Sequence, residues 1–203
     1  MKKICILDYG IGNIFSLKNI LKKNDINFSY SRSKKDILNA THLILPGVGS
    51  FNVAIKKLSE SISIDFLNNE VLNKKKPILG ICVGMQIMAT NGYENTLTSG
   101  LGWIDGSVKV IESKKLPLPQ VGWNSLLLFK RKSDIINQIE NKDFYFLNSY
   151  YFDIMNKKNV IAYSSYGIKF PSIIQKDNIV GVQFHPEKSQ KAGIQLIKNF
   201  IKF

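Results

Sequence analysis

Apolar positions along this chain fall into two rhythms. Residues 3–7 form a compact apolar run that stops at the turn Asp8-Tyr9-Gly10-Ile11-Gly12-Asn13, after which Ile14, Leu17, Ile20 and Leu21 recur at helical spacing. Residues 28–31 have the length of a second strand, and Ser33 stands where an N-cap would open a helix over residues 34–38. A third strand over residues 43–45 is broken by Pro46-Gly47-Val48-Gly49, with Ser50 placed to cap the next helix. Residues 77–81 read as a fourth strand and residues 85–89 as helix-compatible. Beyond Thr90 the strands become shorter and are punctuated by Gly and Pro, over residues 107–111, 144–147, 160–164, 172–175 and 179–184. Ile194, Ile197, Phe200 and Ile201 then close the chain on a helix. Strands that alternate with helices and end in sharp glycine turns predict an α/β fold. Its sheet is largely parallel and flanked by helices, with extra short antiparallel strands in the C-terminal half. The loops at the carboxyl ends of the strands are expected to carry the site.

Composition narrows the picture only loosely. A chain of 203 residues builds one well-cored domain, expected over residues 1–203. Its 44% hydrophobic and 21% charged residues suit a soluble globular protein. No apolar stretch approaches the ~20 residues of a membrane span, and the start Met1-Lys2-Lys3-Ile4-Cys5-Ile6-Leu7 reaches Asp8 too soon for a signal-peptide core. Two cysteines make no disulfide framework, so a reduced, cytoplasmic setting is expected. The net charge of +13 comes from dispersed lysines, with short clusters at Lys22-Lys23, Lys34-Lys35, Lys74-Lys75-Lys76 and Lys130-Arg131-Lys132. No cluster is interleaved with stacking aromatics, and no nucleic-acid module signature appears. A solvated basic surface is the plain reading; steering of anionic ligands or of an acidic partner is the alternative.

The chemistry concentrates in Gly80-Ile81-Cys82-Val83-Gly84-Met85-Gln86. Glycines two before and two after Cys82 give the spacing of a nucleophile elbow, a strained strand-to-helix turn that exposes its central side chain. A helix start behind the sulfur favours thiolate, and its free N–H groups can face an oxyanion. The thiolate needs a base, and the chain has only His42 and His185. His42 opens an apolar run without a nearby carboxylate, whereas His185 is followed two residues later by Glu187. If that segment is extended, the two side chains point the same way and the carboxylate orients the imidazole. Alone, a cysteine is usually a small buried hydrophobe and a His-Pro pair a loop element. Together the elbow and His-x-Glu favour catalysis. The turn Gly10-Ile11-Gly12-Asn13 is not a dinucleotide fingerprint, because Phe15 occupies the third glycine position and no acidic residue follows the second strand. It reads as a tight turn or a partner-facing loop.

Several motifs together identify a resemblance. They are Asp8-Tyr9-Gly10-x-Gly12-Asn13, Leu45-Pro46-Gly47-Val48-Gly49, Leu79-Gly80-Ile81-Cys82-x-Gly84-Met85-Gln86, Gly122-Trp123-Asn124 and Gln183-Phe184-His185-Pro186-Glu187-Lys188-Ser189. Their order and spacing, from Ile6 to Phe200, resemble the class I, triad-type glutamine amidotransferases. Within that family they are most similar to the glutaminase subunits of imidazole glycerol phosphate synthases. The resemblance implies that Cys82 attacks the carboxamide of L-glutamine, that His185 acts as acid and base, and that Glu187 orients it. It implies oxyanion donors from the backbone of Val83 and of Gly47-Val48-Gly49, and glutamine-binding roles for Gln86, Glu94, Ser149 and Tyr150. It further implies a partner, a (β/α)8-barrel cyclase that receives ammonia in a heterodimer, with Asn13, Trp123 and Lys188 near the interface. No cofactor and no metal are implied.

Two positions depart from the family pattern. The strand Phe144-Tyr145-Phe146-Leu147 leads into Asn148-Ser149-Tyr150, where the family commonly has a histidine before Ser-Tyr. Gln120, before Val121-Gly122, likewise replaces a histidine. These losses leave open a paralogous glutaminase that feeds another synthase, such as one forming amidino sugars for surface glycans. A catalytically silent binding module is the third reading, disfavoured by intact Cys82, His185 and Glu187.

Overall fold

The computed structural model describes residues 2–113, 115–128 and 133–203, so the cluster Lys130-Arg131-Lys132 lies outside the described residues. The first half alternates as the sequence predicts: β1 (Ile4–Leu7), α1 (Ile14–Lys22), β2 (Phe28–Ser31), α2 (Lys34–Asn39), β3 (His42–Leu45), α3 (Phe51–Ser61), α4 (Ile64–Asn68), β4 (Ile78–Ile81) and α5 (Val83–Gln86). Then come the short β5 (Asn91–Gly92) and β6 (Thr98–Ser99), followed by β7 (Gly106–Val110), β8 (Gln120–Ser125) and β9 (Leu127–Leu128). The chain continues through β10 (Asp143–Asn148), β11 (Tyr150–Ile154), β12 (Val160–Tyr166), β13 (Ile168–Lys176) and β14 (Ile179–Val182), and ends in α6 (Gln190–Lys202).

Eight strands form the main sheet in the order β2-β1-β3-β4-β14-β13-β12-β9. The run from β2 to β14 is parallel, and β13, β12 and β9 are antiparallel. Every residue of β1, β3, β4 and β14 is buried, so both faces of the sheet centre are covered. Two small sheets stand apart from the main one, β10-β8 and β11-β7-β5-β6. This α/β architecture, with its antiparallel additions in the second half, is the predicted class.

Local chemistry explains the element boundaries. The Ser33 hydroxyl accepts from the Asp36 N–H at 3.2 Å, the cap predicted for α2. Ser50 occupies the N-cap position of α3 but does not cap it, because its hydroxyl donates to Asn52 Oδ1 at 2.8 Å. Glu94 Oε2 takes over, accepting from the Phe51 N–H at 2.7 Å. The helix expected over residues 85–89 begins at Val83 and is only one turn long, because the elbow turns directly into it. The strand expected over residues 179–184 ends at Val182, and β8 and β11 were not predicted as strands. Among the described residues no helix is long and apolar enough to cross a membrane.

Candidate active site

The carboxyl ends of β4 and β14, adjacent and parallel, carry the reactive groups. Cys82 follows β4 with φ 54° and ψ −112°, a conformation that costs a non-glycine residue free energy and marks a strained turn. Close approach accounts for the flanking glycines. A Cβ on Gly80 would lie 2.8 Å from both the Gly84 carbonyl oxygen and the Met85 nitrogen, across the turn. One on Gly84 would lie 1.9 Å from the carbonyl oxygen of Leu45, at the end of β3. A Cβ on Gly47 would lie 2.4 Å from the Gly84 nitrogen. The Pro46-to-Gly49 loop is thus seated on the elbow. Tyr9, in the first motif, donates its hydroxyl to the Pro46 carbonyl and holds the loop from behind.

His185 leaves β14 with extended backbone, and Pro186–Lys188 then forms a 3-10 turn. The turn, rather than an extended segment, brings Glu187 back onto the histidine. His185 Nδ1–H donates to Glu187 Oε1 at 2.8 Å, and both side chains are buried. The loop is fixed from two sides. The His185 N–H donates to the Tyr145 carbonyl at 2.9 Å, and the Ser189 hydroxyl donates to the His185 carbonyl at 2.7 Å. Asn13, which precedes α1, donates its Nδ2–H to the same Glu187 oxygen at 3.2 Å.

A cavity of about 430 Å³ opens over these groups, lined by Cys82, Val83 and His185, by Val48 and Gly49, and by Gln86, Glu94, Ser149 and Tyr150. Every residue expected at the nucleophile, base and glutamine positions lines it. Glu187 sits behind His185, and Gly47 sits behind Val83. Burial by itself would lower the pKa of His185. Hydrogen-bonding and charge interactions with Cys82 and Glu187 outweigh that and raise it to about 10. The site therefore favours an imidazolium beside sulfur. His42 is elsewhere, its Nδ1 2.9 Å from Thr41 Oγ1 and its ring edge-on to Phe200. Burial, followed by the charge of Lys2, pushes its pKa down to about 4.

One functional candidate was missed in the sequence. Gln183 is fully buried on the far side of Cys82, and its Nε2–H points at Cys82 Sγ across 3.7 Å. Its own oxygen accepts from Gln86 Nε2 at 3.0 Å, and Gln86 Nε2 also donates to the Tyr150 carbonyl at 3.1 Å. Only the distance pattern across two strands exposes this relay; Gln183 reads simply as part of the histidine motif. The expected interface residues lie outside the cavity. Trp123 is half exposed with its ring edge-on to Tyr145, and the Lys188 ammonium stands 5.2 Å from the centre of that same ring.

Comparison with known proteins identifies the family and the fold. The family model "Glutamine amidotransferase class-I" matches residues 5–203. The chain is 44% identical to the imidazole glycerol phosphate synthase subunit HisH of Leptospira interrogans, across 97% of this chain and 98% of that protein. It is likewise 44% identical to the subunit named HisH 2 in Methanococcus maripaludis, across 98% of each. A solved glutamine amidotransferase superposes with a TM-score of 0.76 at 18% identity, over 98% of this chain and 97% of that one, which bears on the fold alone.

Proposed function

Because the chain belongs to the class-I glutamine amidotransferases, we propose that it is the glutaminase subunit of an imidazole glycerol phosphate synthase. It hydrolyses L-glutamine and passes ammonia to a cyclase subunit. The observation that carries the site assignment is the meeting of Cys82, on its strained turn, with the His185–Glu187 pair over one cavity. Cys82 thiolate adds to the carboxamide carbon, and the oxyanion is held by the N–H of Val83 and by the Gly47-Val48-Gly49 backbone. Collapse breaks the C–N bond as the His185 imidazolium gives its proton to the departing nitrogen, leaving a glutamyl thioester. His185, now neutral, takes a proton from water as the water attacks the thioester. Glutamate leaves, and the thiolate and imidazolium are regenerated. Glu187 keeps Nδ1 protonated and directs Nε2 at the reacting atoms. Gln86, Glu94, Ser149 and Tyr150 hold the amino-acid end of glutamine.

The partner takes the form of a (β/α)8-barrel cyclase in a heterodimer. Support comes from the apolar face beside the cavity, where Val121, Trp123 and Leu147 are exposed on the β8–β10 ribbon near Lys188 and Tyr145. Hydrolysis without a waiting acceptor wastes glutamine, so the oxyanion loop is held unproductive until an occupied partner docks. The test is a glutaminase assay with and without the cyclase and its nucleotide ligand. A rise in kcat by orders of magnitude is expected, and full activity of the isolated chain would refute the gating. A second reading keeps the chemistry but changes the acceptor. It is favoured by Asn148 and Gln120 in place of histidines. Stimulation only by a different ammonia-accepting synthase would establish it.

A further inference from the structure

Two side chains unused in the chemistry above pair beside the cavity, Asn148 in its wall and Gln120 next to it, outside the lining. Gln120 and Asn148 are direct partners in the antiparallel β8–β10 ladder, so their side chains share one face with Cβ atoms about 5 Å apart. Exposure is 3% for Gln120 and 6% for Asn148. Asn148 forms part of the cavity wall, as does Pro119, the neighbour of Gln120. Asn148 Nδ2–H is committed to the Tyr150 carbonyl at 3.0 Å, which fixes the orientation of its amide. Its Oδ1 and the Oε1 of Gln120 are both buried and both lack a hydrogen-bond partner. Unpaired buried acceptors cost free energy, and native interiors rarely keep two side by side. The cavity wall also carries the Glu94 carboxylate, so the surroundings favour a ligand that donates hydrogen bonds and disfavour an anion.

We propose that Asn148 and Gln120 form a neutral double-acceptor subsite for a nitrogen group bearing N–H donors. The proposal rests on the glutaminase reading, whose reaction supplies two such groups: the α-ammonium of glutamine and the ammonia released at Cys82. Both positions were noted in the sequence only as lost histidines. Their pairing across one ladder makes them a single feature. An amide pair stays uncharged at all physiological pH values and accepts without competing for the proton that His185 handles.

The test uses the complex with the cyclase and its nucleotide ligand, measuring glutamate and imidazole glycerol phosphate together. Gln120→Met keeps side-chain volume and removes the acceptor; Gln120→Ala serves should the Met variant fold poorly. If the group held is the α-ammonium, KM for glutamine rises about tenfold with kcat unchanged, the loss of one hydrogen bond to a charged donor. If it is ammonia, KM stays put and the fraction of nitrogen reaching product falls by half or more, restored by added ammonium chloride. Gln120→Glu, which keeps the acceptors, recovers either loss in part. A folded Gln120→Met complex with unchanged KM and unchanged nitrogen transfer would overturn the subsite, because a resting water there moves neither readout. Failure of the unmodified complex to hydrolyse glutamine is a separate result that removes the glutaminase reading itself, and the subsite with it.

Discussion

Gly84→Ala is the sharpest test of how the elbow is built. An alanine in a helix is ordinarily worth about 1 kcal/mol over glycine, so propensity alone predicts a more stable protein. Here the added carbon would sit 1.9 Å from the Leu45 carbonyl oxygen, 2.9 Å from its carbonyl carbon and 3.2 Å from that of Pro46. An ordinary carbon–oxygen contact is about 3.3 Å, so one segment must retreat by roughly 1.4 Å. Leu45 is fully buried and paired with Gly80 in the parallel sheet. The elbow and α5 therefore move, and Cys82 with them. Overpacking of this kind costs about 1–3 kcal/mol. With backbone on both sides the upper end applies, and after the helix gain a net loss of about 2 kcal/mol is expected. A shift of about 1 Å in a reacting group costs about 10²-fold in rate. Urea unfolding and glutaminase kcat, assayed with the proposed cyclase partner, measure the two effects. Gly102→Ala is the control: its φ is +66° with nothing within 4 Å, so only local strain of about 1 kcal/mol and no loss of kcat are expected. A Gly84→Ala protein at least as stable as its parent, with parental kcat, would refute the close-approach argument.

Cys82→Ser and Cys82→Ala should abolish glutamine hydrolysis without unfolding the chain, and a glutamine-like diazo ketone should label Cys82 while sparing Cys5, buried within β1; preferential labelling of Cys5, read by mass spectrometry, sinks the assignment. His185→Asn should lose most of the rate and Glu187→Gln less, since the carboxylate orients rather than transfers the proton; equal damage from His42→Asn in a folded protein would mean the wrong histidine. Gln183→Leu should lower kcat about tenfold with KM little changed, the effect of one lost donor to sulfur; parental kcat in that variant dismisses the relay. Glu70 is buried between Lys76 at 2.8 Å and Lys74 at 2.6 Å. Burial opposes its charge, but the two lysines outweigh burial and hold its pKa below the usual value of 4.5. A depressed folded pKa means stability that is present above the unfolded value and lost as pH falls through the folded one. Glu70→Gln should therefore cost on the order of 2 kcal/mol at neutral pH, discounted because Lys74 is half exposed. The gap from the parent should close in acid, and a pH-independent gap in thermal unfolding would refute the ion-pair account.

Local signals were legible in the sequence, and long-range ones were not. β2 matches its expected bounds, and α2 starts where its Ser33–Asp36 cap requires. Cys82, His185 and Glu187 could be read because the elbow and the His-x-Glu step are written in neighbouring residues. β13 runs longer than expected because Pro171 reads as a breaker. In the sheet, Pro171 stands opposite Tyr163 of β12 and lies outside the stretch from Ile173 to Lys176 that pairs with β14, so the pairing with β14 asks no hydrogen bond of its nitrogen. β8 was hidden because Gly122 and the polar Gln120, Asn124 and Ser125 mask a ribbon whose apolar Val121 and Trp123 face outward. Contacts that join distant segments, Gln183 to Cys82, Asn13 to Glu187 and Tyr9 to Pro46, carry no local signature, so only the folded arrangement displays them.

The placement of β14 has a consequence for how the protein is made. Cys82 and Gln183 are 101 positions apart, yet their strands are immediate neighbours, with β14 filling the slot between β4 and β13. A ribosome delivers the cysteine and its elbow many seconds before the histidine, at about 5–20 residues per second. During that interval β4 is an open edge of unpaired backbone N–H and C=O groups between apolar side chains, the kind of surface that invites mispairing. Inserting β14 removes the edge and, in the same event, brings His185 to the sulfur. On the reading proposed above, the nucleophile acquires its base only when the sheet closes. A nascent or C-terminally truncated chain then consumes no glutamine, and the protein's own order of synthesis serves as its first safeguard against futile hydrolysis.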